Sequence, residues 1–172
     1  MIAITVGLCG CGGSKVDSRL CGDWAYIHED VKTILSIKSN GKAEYKGQQY
    51  TASADEEYIE LKSGREDLKL RYVIENDGIL VYETKAYEYD GEGTPDSIVG
   101  NWIAMPERWT FEFNDAGEFK EDGYFPGYYT VDEANHSVKL VYNDHFEDTT
   151  IYYTIDGNIL TIEYPWKMVK TK

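Results

Sequence analysis

Positive charge is scarce in this chain. Its 172 residues carry 17 Lys and Arg against 31 Asp and Glu, a formal net charge of −14. Nucleic acid and anionic headgroups are gathered by clustered Lys and Arg, so this balance excludes a nucleic-acid partner. The acidity reads instead as a solubility device. Histidine is scarce as well: His28, His136 and His145 stand far apart with no ligand spacing, and no metal site is expected. There is no Gly-x-Ser-x-Gly elbow, no Cys–His pair around a usable cysteine and no phosphate-binding glycine loop. Acidic runs such as Asp55-Glu56-Glu57 and Glu147-Asp148 fall in turns and read as solvated. The chain therefore reads as a non-enzyme, with no catalytic residue and no cofactor. Long apolar runs are missing too. Ile2 to Leu8 is a stretch of seven residues, far too short to cross a bilayer. No stretch of eleven residues or more holds a helical period.

What is present begins at the N-terminus. Ile2–Leu8 has the length of a short signal h-region. It leads into Leu8-Cys9-Gly10-Cys11, which resembles the lipobox of bacterial lipoproteins. That resemblance implies cleavage after Gly10 and lipidation of Cys11. Cys9 fits poorly, because Leu8 would then sit beside the cut. Residues 1–10 then form a signal peptide and 11–21 a lipidated tether, small and polar from Gly12 to Lys15. The mature chain would sit at the cell membrane, lipid-anchored on its extracytoplasmic face. With Cys9 removed and Cys11 acylated, Cys21 stands alone and no disulfide framework can form within one chain. Nothing basic flanks Cys21 to activate it, so it reads as a small buried hydrophobe.

The remainder repeats itself. Gly22-Asp23-Trp24 returns as Gly100-Asn101-Trp102, 78 residues later. Leu35-Ser36-Ile37 before Asn40-Gly41 parallels Phe111-Glu112-Phe113 before Ala116-Gly117. Tyr50-Thr51 parallels Tyr129-Thr130, and Asp77-Gly78-Ile79-Leu80 parallels Asp156-Gly157-Asn158-Ile159-Leu160. This order of features reads as a tandem duplication: repeat 22–89, an acidic Gly/Pro linker 90–97, and repeat 98–172. The linker's acids lack the spacing of a calcium loop. Within each repeat apolar and polar residues alternate, as in Trp109, Phe111 and Phe113 against Arg108, Thr110 and Glu112. Asn-Gly and Asp-Gly between such runs are strong hairpin signals. The fold class expected is all-β: two tandem antiparallel meander repeats of about six strands each, forming small barrels or sandwiches.

A Gly-x-Trp strand followed by glycine-turned hairpins resembles the lipocalin-like domains of bacterial lipoproteins. Residues 98–172 also resemble a short GxW repeat of secreted Gram-positive proteins. A unit of ~75 residues fills its interior with side chains, so a ligand is expected in a groove between the units or on an outer sheet face. Trp24 and Trp102 read as barrel plugs. Phe125, Tyr128 and Tyr129 cannot all face one interior in an alternating strand, and with Trp166 they are the candidate ligand-facing aromatics. Two functions fit. One is a surface-anchored binding module for a small apolar ligand or a glycan. The other is an accessory or inhibitor-type domain that meets a protein partner and has no small-molecule site.

Overall fold

The structure, a computed structural model, describes residues 16–27, 32–143 and 146–171. The signal-peptide and lipidation readings, Cys9 and Cys11 included, fall outside the described residues, as do His28 and His145. Among the described residues there are fourteen strands and no helix. The first repeat forms β1 (Gly22–Tyr26), β2 (Leu35–Ile37), β3 (Lys42–Tyr45), β4 (Gln48–Ala54), β5 (Tyr58–Lys62), β6 (Asp67–Ile74) and β7 (Ile79–Tyr89). The second forms β8 (Gly100–Ala104), β9 (Trp109–Phe113), β10 (Glu118–Glu121), β11 (Phe125–Asp132), β12 (Ser137–Tyr142), β13 (Thr149–Asp156) and β14 (Ile159–Lys170).

Alternation decides which face each strand buries. In β12, Val138, Leu140 and Tyr142 are buried while Lys139 and Val141 face out. Each repeat holds seven strands rather than six. The additional ones are β3 and β10, four residues each. Every strand pairs antiparallel with its neighbours, β1 pairs with β14 to close the sheet, and β7 pairs with β14 as well. The fold is all-β, built on one antiparallel sheet.

The described residues divide into two compact units, one within 16–82 with 166–171 and the other within 83–165. The first unit contains β1 to β6, the start of β7 and the end of β14. Tyr72 pairs with Val81 on one side, and Trp24 pairs with Lys170 on the other. At the junction of β7 and β14, Gly78 lies against the Met168 carbonyl. The core of this ring is Trp24, Leu35, Ile37, Ile59, Leu61, Val81 and Met168.

The second unit contains the end of β7, β8 to β13 and the start of β14. Tyr89 pairs with Trp102, Tyr152 pairs with Glu163, and the Tyr89 N–H donates to Asn158 O at 2.9 Å. Its core is Trp102, Phe111, Phe113, Phe119, Leu140, Ile151, Leu160 and Ile162. Each unit is thus a closed ring of eight strand segments whose interior is filled by side chains, as expected for a barrel this small.

Both units open with the same device. The buried Trp24 indole N–H donates to Leu20 O at 2.9 Å, and that of Trp102 to Ile98 O at 2.8 Å. The glycine before each sits at φ 140° and 142°, a conformation closed to other residues. A Cβ on Gly100 would also stand 2.5 Å from the Tyr89 ring. That ring packs on Trp102, with centroids 5.1 Å apart. Cys21 is half-buried rather than buried, its Sγ within 3.8 Å of Asp17 O. Burial pushes its thiol up, away from the reactive thiolate.

Candidate functional site

β11 carries three of the four candidate aromatics, and its alternation separates them. Gly127, Tyr129 and Val131 point inward while Pro126 and Tyr128 point out. Tyr129 is half-buried. Its ring meets Phe113 edge-on at 5.0 Å and its hydroxyl donates to Asn114 O at 2.9 Å, so it holds the β9–β10 turn. Tyr128, 56% exposed, stands on the outer face. Phe125 lies on the inward phase at the end of the strand, 38% exposed, with its ring edge-on to Phe146 at 4.9 Å. Trp166 belongs to the first unit, where it packs on Tyr26 at 5.6 Å. Phe125 and Tyr128 therefore serve two different surfaces of the second unit.

The first surface is the outer face of β8 to β11. Cross-strand register sets Asn101 beside Glu112, Glu112 beside Lys120, and Lys120 beside Pro126. One step along, Glu118 stands beside Tyr128. These residues, with Asn114 and Asn143, line a depression of about 350 Å³. Lys120 Nζ lies 3.8 Å from Glu112 Oε2, a loose pair that leaves both groups within reach of a ligand. One aromatic face, amide groups and one charge of each sign make a lining rich in hydrogen-bonding groups around a stacking platform.

The second surface is one end of the same barrel. The connections after β8 and β10, residues 105–108 and 122–124, lie at this end, as do residues 146–148 before β13. Asp122 ties the β10–β11 connection to β9, accepting the Thr110 N–H at 2.8 Å. On the inward phase Glu121 pairs with Phe111 and with Phe125, so a carboxylate occupies an apolar row. It accepts a hydrogen bond from the Tyr142 hydroxyl, which lies 3.2 Å from the Tyr164 hydroxyl. Burial raises the Glu121 carboxyl above the ordinary glutamate range, and the Tyr142 bond opposes that rise only in part. Burial, and then the Glu121 charge, push Tyr164 up to about 12 and raise Tyr142 and Tyr87 as well.

Around this cluster the rim is apolar and open to solvent, formed by Met105, Trp109, Tyr124, Phe125 and Phe146. Lys85 Nζ sits 4.7 Å from the Trp109 ring centroid and 2.5 Å from Glu107 Oε2. The pattern could have revealed Glu121, since it shares the phase of buried Phe119 in Glu118-Phe119-Lys120-Glu121.

His136 is an exposed turn residue at φ 48°. Among the described residues no group of three or more His, Cys, Asp or Glu side chains is placed to hold a metal ion. No helix among them is long and apolar enough to cross a membrane. No protein-family model matches the chain, and no curated protein and no solved structure matches it.

Proposed function

We propose that the protein is a non-enzymatic binding module, anchored through Cys11 on the extracytoplasmic face of the cell membrane, that takes a saccharide on the outer face of its second unit. The observation that carries this reading is the depression of about 350 Å³ with the Tyr128 ring at its edge and Asn101, Glu112 and Lys120 across its strands. A sugar offers one apolar face for stacking and a ring of hydroxyls for amide, carboxylate and ammonium groups, which is the chemistry of this lining. A small apolar ligand fits it less well. The anchor rests on Leu8-Cys9-Gly10-Cys11.

Titration with a panel of soluble oligosaccharides, followed by amide chemical shifts, tests the reading. We expect shifts confined to Asn101, Glu112, Lys120 and Tyr128 for at least one panel member, and about tenfold weaker binding for Tyr128→Ala, the loss of one stacking contact of about 1.4 kcal/mol. Shifts elsewhere, or binding indifferent to Tyr128, would sink it. The anchor is tested by labelling cells with a fatty-acid precursor: the label persists in Cys9→Ser and vanishes in Cys11→Ser. A second reading, a protein-interaction domain, is favoured by the exposed apolar rim at the barrel end.

A further inference from the structure

We infer that the aromatic end of the second unit is a docking surface for a basic, apolar segment of another protein. The inference goes beyond the saccharide reading and stands whether or not the outer face binds a sugar. Of the large apolar side chains exposed among the described residues, five belong to this end: Met105, Trp109, Tyr124, Phe125 and Phe146. Tyr124 is 82% exposed and Phe146 52%. Phe125 and Phe146 pack edge-on at 4.9 Å, and exposed apolar side chains gathered at one end of a folded domain mark an interaction site.

Charge selects the occupant. Glu107, Asp122, Glu147 and Asp148 stand in the connections that carry these side chains, against Lys85, Arg108 and Lys139. Lys139 is taken by Asp148 at 3.1 Å. The whole chain carries −14. An anionic membrane surface is repelled by such a field, and so is a second copy of the same chain. A segment bearing Lys or Arg is attracted.

The molecule already contains one instance of the contact. Lys85 lies over the Trp109 ring and binds Glu107 at once, a cation held by an aromatic face and a carboxylate. The rings of Tyr124, Phe125 and Phe146, with Glu147 and Asp122 beside them, offer the same pairing to cations from outside.

The test uses the full chain and a fluorescently labelled peptide of roughly 15 residues built from Lys, Arg, Leu and Phe, long enough to cover a patch of a few hundred Å². Its counterpart carries Glu for every Lys and Arg. We expect saturable binding of the basic peptide by fluorescence anisotropy, at least tenfold weaker at about 500 mM salt than at about 50 mM. The acidic counterpart should not bind. Tyr124→Ser with Phe146→Ser should weaken binding tenfold or more, and Glu147→Lys should weaken it independently. Both variants alter exposed side chains, and an unchanged melting curve shows that each is folded. The inference fails if the basic peptide does not saturate up to about 1 mM, the weakest binding worth the name. It fails equally if both peptides bind alike, or if both variants bind as the parent does. Self-association through this end, or capture by anionic vesicles in place of the peptide, assigns the surface to another occupant and overturns it.

Discussion

Glu121 is the residue whose placement costs the fold most visibly. A carboxyl on the inward phase, among Phe111, Phe125 and Tyr142, is disfavoured in its charged form. Its pKa in the folded chain lies above the unfolded value, so it supports the fold below the ordinary glutamate range and loses that support as pH rises through the raised value. Glu121→Gln keeps an acceptor for the Tyr142 hydroxyl and removes the charge. We expect it to raise the melting temperature at about pH 7 and to give no gain at about pH 3.5, where the parent is already protonated. A loss of stability equal at both pH values would show that charge is not what this site disfavours. This position was legible in the alternation of β10, but 31 acids in one chain hide a single inward one. For Tyr128 and Tyr129 the pattern required one in and one out. Which was which depended on register, and Tyr129 points inward only because Gly127 opposes Tyr142.

At the level of elements, the hairpins announced by Asn-Gly and Asp-Gly were the readable part. The turn that closes β3 onto β4 is Lys46-Gly47, with φ of 49° and 82°. Its counterpart between β10 and β11 is Asp122-Gly123, at 51° and 71°. Both have positive φ at consecutive residues; Lys46-Gly47 is a two-residue hairpin turn, and Asp122-Gly123 lies in a three-residue connection. Lysine at that position is strained where Asn is at ease, so Lys46-Gly47 carries no strong turn signal. Lys46 also lies near the Tyr45 ring, 5.3 Å from its centroid, a surface contact of small worth. Lys46→Asn should therefore stabilise the protein by about 0.5 kcal/mol, measured by urea unfolding with an unchanged slope. Destabilisation would mean that the Tyr45 contact outweighs the turn.

For the whole molecule, what local pattern could not reveal is where the long strands end. Their alternation marks β7 and β14 as strands but says nothing of a change of unit along them. The first ring is completed by residues 166–170, and the Thr171 N–H donates to Asp23 O at 2.8 Å across 148 positions of sequence. The second ring takes Glu83–Tyr89 from the first repeat, with Tyr89 against Trp102. Contacts so distant leave no mark on a local window, and their closure is entropically slow to form. Each repeat therefore lacks one wall of its own barrel and carries one wall of the other's.

The measurement that tests this most directly is calorimetric unfolding of residues 16–95 and 96–172, apart and mixed, beside the intact chain. We predict that neither fragment alone unfolds in a cooperative transition, because each lacks a wall of its ring, and that an equimolar mixture recovers one. Two fragments that each melt cooperatively alone, with enthalpies adding to that of the intact chain, would contradict the shared-strand architecture.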